Sequence, residues 1–321
     1  MHFLRVVPES STEFTSPACA PRSLQIPHSL SHKTTLILLH GRGSSAQKFA
    51  EPLLTHPVSP LASTSSRIFR DHFPLTKFLF LTASLRRTFI FKRSFTHQWF
   101  DNWSLTEPEL KQHIQVQGLR ETSAYLHGIL QREIELVGEK NVVLMGLSQG
   151  CAASLVSTLL WKGEAFGGVV GMCGYLPFRK GMLEEVEGER NHVEDDDEED
   201  NLFGKEEEGP HSGRSDIDRA AEWLREELQA DSQADEHGKS AVMLSIPVFM
   251  GHGREDEKVP CDIGKMAADF LRGLSVNVEW REYDGLGHWY SEDMLSDVVS
   301  FLKGLDGWSS VVDVESQSTN R

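Results

Sequence analysis

Several stretches of the chain are apolar without interruption, and longer ones carry apolar residues every three or four positions. TTLILLHGRGSS (34–45) is an apolar run that ends in Gly41 and Gly43, and it predicts a buried strand followed by a tight loop. KFLFLTA (77–83), NVVLMGLS (141–148), GGVVGMCG (167–174), IPVFMGHG (246–253) and SVNVEWREY (275–283) read as further strands. Between them lie helical patterns. Leu119, Leu126, Ile129, Leu130, Ile134 and Val137 fall near three- and four-residue spacing, and Gly138 stops them. QGCAASLVSTLLW (149–161) is a helix rich in small residues, DIGKMAADFLRGL (262–274) is another, and SEDMLSDVVSFLKGL (291–305) places Met294, Val298, Phe301 and Leu302 on one side.

Strands that are apolar throughout, and are separated by helices, imply a mainly parallel sheet covered on both faces. The expected architecture is one α/β domain over residues 34–305. Residues 1–33, rich in Ser, Pro and His, read as an irregular leader, and 306–321 as a polar tail.

Charge changes this picture in one place. The net charge is -16 over 321 residues, yet residues 183–240 alone hold 22 acidic against 6 basic side chains, which leaves the remainder neutral. The acidity therefore belongs to an insertion and gives no global attraction to basic partners. No basic patch interleaved with aromatics marks a nucleic-acid binder. Within the insertion, EDDDEEDNLFGKEEEGPHSG (194–213) has too little apolar area to offset ordering entropy, so disorder is expected there. SDIDRAAEWLREELQ (215–229) differs, because Ser215 and Asp218 suit a capping box and Ile217, Ala221, Leu224 and Leu228 share a helical face. The segment reads as a surface loop carrying one docked helix, with a lid over the catalytic face as the sharper alternative.

Four widely spaced cysteines, Cys19, Cys151, Cys173 and Cys261, form no C-x-x-C pair and argue against a disulfide framework or a zinc site. The N-terminal MHFLRVVPESSTEF has no basic flank leading into a long apolar core, and no apolar run is long enough to span a bilayer. A cytoplasmic location is expected, with the nucleus open as well.

VVLMGLSQGCAAS (142–154) carries the chemistry. A strand that delivers Gly-x-Ser-x-Gly into a helix is a nucleophile elbow, in which Ser148 sits on a strained turn and its hydroxyl projects above the sheet. Gly146 and Gly150 are small because a Cβ at either would crowd the turn or the adjacent chain. A serine needs a base, and the base needs an orienting acid, with chain order Ser, acid, His in this architecture. Five histidines follow Ser148: His192, His211 and His237 lie in the insertion, His252 has no acid between it and the elbow outside the insertion, and His288 follows the last strand through Gly-Leu-Gly. His288 is the expected base. For the acid, GHGREDEKVP (251–260) offers Asp256, with Glu255 and Asp262 as alternatives and Asp284 too close to the histidine in sequence. The oxyanion needs two backbone donors, expected at Gln149, directly after the nucleophile, and at Arg42, whose side chain is free to point to water.

The blocks LILLHGRG, QWFD, VVLMGLSQGCAAS, GMCGYLPFR, VFMGHGREDEKVP and YDGLGHWY together resemble the acyl-protein thioesterase/carboxylesterase family, the phospholipase/carboxylesterase branch of the α/β-hydrolases. The resemblance covers about 34–180 and 241–305. It implies the α/β-hydrolase fold, Ser148 as nucleophile, Asp256 as acid, His288 as base, no cofactor, and action on S-acylated proteins, lysophospholipids or simple esters. Independently of the resemblance, nothing in the sequence excludes transient contact at a membrane surface. The resemblance also places Trp99 and Phe100 near the site, as walls of an acyl pocket or as core. Two departures bear on substrate preference rather than on chemistry: LTASLRR (81–87) lacks the family's prolines, and the acidic insertion is long. An inactive hydrolase-fold binder is the rival from another functional class.

Overall fold

The computed structural model describes residues 5–6, 22–26, 32–58, 67–90, 94–195, 214–230 and 240–309. Among the described residues there are ten strands: β1 (Arg5–Val6), β2 (Arg22–Ile26), β3 (Thr34–Leu39), β4 (Thr76–Thr82), β5 (Leu85–Arg87), β6 (Phe95–His97), β7 (Val142–Leu147), β8 (Gly168–Met172), β9 (Val248–Gly253) and β10 (Val278–Tyr283). The helices are α1 (Ala46–Leu54), α2 (Val116–Val137), α3 (Gln149–Leu159), α4 (Arg179–Asp195), α5 (Asp216–Glu227), α6 (Cys261–Gly273), α7 (Glu292–Gly304) and the one-turn α8 (Asp306–Ser309).

Eight strands form one sheet in the order β1-β2-β4-β3-β7-β8-β9-β10. The six from β4 to β10 are parallel, and β2 and β1 extend the β4 edge in antiparallel fashion. β3, β7, β8 and β9 are buried along their whole length, as uninterrupted apolar runs demand. Their residues alternate between two cores. Ile37, Leu39, Val142, Leu144, Val169 and Met250 join α2, α3 and α6 on one face. Leu36, Leu38, Val143, Met145, Val170 and Phe249 join α1 and α7 on the other.

The pairing of β1 and β2 corrects the reading of residues 1–33 as irregular. β2 takes its place through a ladder from Arg22↔Thr82 to Ile26↔Phe78, so backbone hydrogen bonding recruits a segment whose short apolar content gave no signal. The polar tail is corrected too: Trp308 on α8 is 2% exposed and packs edge-on against Phe73 at 5.6 Å. A lone tryptophan in a polar context has no period to announce it.

The insertion begins as helix. α4 continues from the end of β8, and 196–213, where disorder was expected, lie outside the described residues. α5 forms as its periodicity predicts: Ile217, Ala221, Leu224 and Leu228 are all buried, and Ile217, Leu224 and Leu228 join the same core as α2 and α3. Its expected capping box is altered, since the Ser215 hydroxyl donates to the Asp218 carboxylate at 2.5 Å instead of accepting from the helix amides. Among the described residues, no helix is long and apolar enough to cross a membrane.

Candidate active site

Three loops at the carboxyl ends of β7, β9 and β10 converge. Ser148 joins β7 to α3 with φ 58° and ψ -118°, a conformation that costs a non-glycine residue about 1–3 kcal/mol and persists only where its surroundings enforce it. The enforcement is visible. A Cβ built on Gly146 would lie 2.3 Å from the backbone of Gly150, and one on Gly150 would lie 2.3 Å from the Leu39 carbonyl oxygen. The Ser148 amide donates to the Met172 carbonyl at 2.8 Å, which ties the turn to the end of β8.

The Ser148 hydroxyl lies 2.8 Å from His288 Nε2, and His288 Nδ1 lies 2.7 Å from Asp256 Oδ2. The carboxylate can only accept, so Nδ1 carries a hydrogen and Nε2 is free to receive the serine proton. Asp256 Oδ1 accepts the amides of Lys258 and Val259, each at 2.9 Å. Burial works to raise the Asp256 carboxyl, but bonds from His252 and His288 and from the Val259 amide outweigh it and hold the group well below the usual carboxylate range. Neither alternative for the acid reaches the relay, since Asp262 lies in the first turn of α6 and Glu255 is exposed, and Asp284, set aside for its closeness to the histidine, pairs with Arg254 at 2.9 Å. The structure brings Ser148, Asp256 and His288 together and leaves those three out.

On the other side of the serine, the loop after β3 packs closely: a Cβ on Gly41 would stand 3.4 Å from Ser148 Cβ. Arg42 and Gln149 therefore flank the nucleophile, and Gln149 opens α3, where amides have no intrahelical acceptor. The Arg42 side chain does not point simply to water. Its Nη1 donates to Asn102 Oδ1 at 2.8 Å, and burial lowers the guanidinium, opposed by the fields of Tyr175 and Asp101.

Of the two readings of Trp99 and Phe100, core is the one found: they are 2% and 0% exposed and belong to the apolar core. Their role here is to brace. The Gln149 side chain accepts from the Trp99 amide at 3.0 Å and donates to the Phe100 carbonyl at 2.7 Å, and the Trp99 indole donates to the His40 carbonyl at 2.8 Å. His40 completes the frame, with Nδ1–H donating to the Gly41 carbonyl and Nε2 accepting the Ala83 amide.

Two neighbours of the site escaped sequence reasoning. Cys173, at φ 49°, donates its thiol to the Trp289 carbonyl at 3.1 Å beside Asp256 and His288, and burial pushes it up to about 12, so it remains a thiol. His252 lies 3.2 Å from Asp256 Oδ2. Both lie in stretches that carry the family resemblance, GMCGYLPFR and VFMGHGREDEKVP, and the position of His252 four residues before Asp256 was the available signal for its contact with the acid.

Comparison with known proteins bears on the family and the fold. The family profile Phospholipase/Carboxylesterase matches residues 25–206 and 230–305. The chain is 27% identical over 209 residues to acyl-protein thioesterase 1 of Gibberella zeae, covering 64% of this chain and 66% of that protein, just under two thirds of it. It is 23% identical to acyl-protein thioesterase 1 of Yarrowia lipolytica over 88% of this chain and 96% of that one. Carboxylesterase SOBER1 of Arabidopsis thaliana is 26% identical over 84% and 90% of the two chains. The crystal structure of Zea mays acyl-protein thioesterase 2 superposes with a TM-score of 0.59 at 20% identity, covering 88% of this chain and 97% of that one, which establishes a shared α/β-hydrolase fold. With a family match over most of its length and a serine elbow at the rim of that sheet, the chain belongs to the phospholipase/carboxylesterase family.

Proposed function

We propose that this protein is a serine hydrolase of carboxylic esters and thioesters that removes acyl groups from S-acylated proteins, with Ser148, His288 and Asp256 as its catalytic residues. The observation that carries the reading is the unbroken relay Ser148 Oγ, His288 Nε2, His288 Nδ1, Asp256 Oδ2, with its two contacts at 2.8 and 2.7 Å. His288 takes the serine proton as Oγ attacks the acyl carbonyl, the Arg42 and Gln149 amides hold the oxyanion, and His288 returns the proton to the departing thiol or alcohol. Water then repeats the sequence on the acyl-enzyme and releases the acid. No cofactor enters any step.

A fluorophosphonate probe labels the parent protein on this reading, and Ser148→Ala abolishes the label. Labelling that persists in the variant would overturn the assignment, and an unlabelled parent would favour a binding protein that keeps only the fold. The second reading within the class is a small-ester carboxylesterase or lysophospholipase, favoured by similarity to a carboxylesterase that matches the similarity to the thioesterases. Rates on acyl chains from two to sixteen carbons separate the two, because each methylene held in a groove adds about 0.8 kcal/mol of binding. A rate that climbs with chain length supports the thioesterase; one that peaks at short chains supports the esterase.

Transient contact with a membrane surface is part of the proposal. The β5–β6 hairpin exposes Leu85, Phe89, Ile90 and Phe95, the last at 59%. The sequence LRRTFIFKRSF (85–95) carries four basic residues and no acid, a composition suited to anionic headgroups.

A further inference from the structure

His252 stands at the end of β9, buried completely, and its ring is held in one orientation. Nε2 lies 2.9 Å from the Val259 carbonyl and 3.2 Å from Asp256 Oδ2. Both are acceptors, so Nε2 carries the hydrogen and shares it between them. Nδ1 is buried with no hydrogen-bond partner, and α6 backs directly onto it: a Cβ on Gly264 would lie 2.3 Å away. The Trp280 ring covers one side at 5.9 Å. An orphaned buried nitrogen is a stability cost that an aliphatic side chain in the same space would avoid. The imidazole's one useful feature there is the donor it aims at the Asp256 loop.

We propose that His252 is a positioning residue for the catalytic acid: its Nε2–H closes the 252–259 loop onto Val259 and fixes the Asp256 oxygen that receives His288. With it, Asp256 accepts four bonds, two on Oδ1 from backbone amides and two on Oδ2 from imidazoles. The second imidazole bond on Oδ2 draws off part of the charge that would otherwise act on His288, and it keeps the carboxylate from rotating when His288 gains and loses its proton. The other titratable groups facing the cluster are Cys173 at the end of β8 and Cys261 at the start of α6, whose thiols burial pushes up to about 12 and about 11. Glu282 on β10, opposite His252 in register, is paired with Arg254. None of these changes charge across the acid limb of activity.

The inference rests on the serine-hydrolase reading, and the test separates the two. Sites are first counted by fluorophosphonate titration, and p-nitrophenyl butyrate hydrolysis is then followed from pH 5 to 9 in the parent, His252→Phe and His252→Gln. The phenylalanine keeps the ring volume and loses the donor, whereas the glutamine amide can restore an N–H near the same place. For His252→Phe, kcat per titrated site falls about tenfold to a hundredfold with KM little changed, and the acid limb of kcat/KM moves up by about one pH unit. His252→Gln recovers most of both. A His252→Phe enzyme with parental kcat and an unmoved acid limb per site overturns the inference alone; a parent that takes no label overturns both. Should His252→Phe fail to fold, nitrogen NMR of histidine-labelled parent protein decides the matter. An Nε2–H tautomer at His252 throughout the active range is the expected result, and an Nδ1–H tautomer refutes it.

Discussion

His40 shows how one side chain sets a pH limit on the frame behind the nucleophile. Its neutral ring uses both nitrogens, donating to Gly41 and accepting from Ala83. Burial pushes it from an ordinary 6.5 down to about 4, with the Gly41 bond partly opposing. Between those values the unfolded chain binds more protons than the folded one. The contribution is therefore complete above about pH 6.5 and is lost as pH falls toward 4, to a total of about 3 kcal/mol. Urea midpoints at pH 7 and pH 4.5 measure this, and His40→Gln should lose less stability between them than the parent. An identical loss in both would show that His40 does not carry the effect. Ser148, Asp256 and His288 could be picked from chain order because the elbow and the acid loop are local patterns. The Gln149 brace could not, since it acquires its partners, Trp99 and Phe100, only when separate segments meet, and the role of His252 could not because nothing in the spacing of residues 252–259 says which way the loop turns its ring.

At the scale of elements, the β5–β6 hairpin and α5 illustrate opposite degrees of legibility. α5 announces itself by period, and its buried face joins the core, with Trp223 set against Phe178 at 6.4 Å and over Gly181. The hairpin has only three residues in each strand and little buried surface, so no period marks it. It is held at its base, where the Gly43 amide donates to the His97 carbonyl and His97 Nδ1 donates to the Ala83 carbonyl, and braced farther out by Lys111 over Trp103 at 3.2 Å beside Phe89. Arg87 lies over the exposed Phe95 ring at 5.2 Å. Phe95→Glu is expected to cut co-sedimentation with phosphatidylserine vesicles severalfold, because a carboxylate replaces an apolar ring against an anionic surface. Hydrolysis of a short soluble ester should be unchanged. Equal sedimentation of parent and variant would remove the hairpin from any membrane contact.

Across the whole molecule, the site exists because six parallel strands end on one side. The nucleophile, acid and base leave β7, β9 and β10, and the relay spans 140 positions between Ser148 and His288. β7 and β9, which carry the nucleophile and the acid, are buried along their whole length, whereas β10, which carries the base, is the half-exposed edge of the sheet. Loss of fluorophosphonate labelling in urea should therefore coincide with loss of the fluorescence of the buried tryptophans Trp99 and Trp308, which sit in the two cores on opposite faces of the sheet. Labelling that vanishes well before the fluorescence changes would mean that the loops open independently of the sheet.

The sequence by itself determined the six parallel strands β3, β4, β7, β8, β9 and β10, the helices α2, α3, α5, α6 and α7, the elbow and the order of its partners. Each of these follows from side-chain period or local backbone sterics over a dozen residues. Tertiary structure alone decided that β1 and β2 join the sheet, that Trp308 is core, that Trp99 and Phe100 brace instead of lining a groove, and that Asp256 receives two imidazoles. Those outcomes depend on strand register and on which surfaces exclude water together, and contacts between segments dozens of residues apart leave no period in either one.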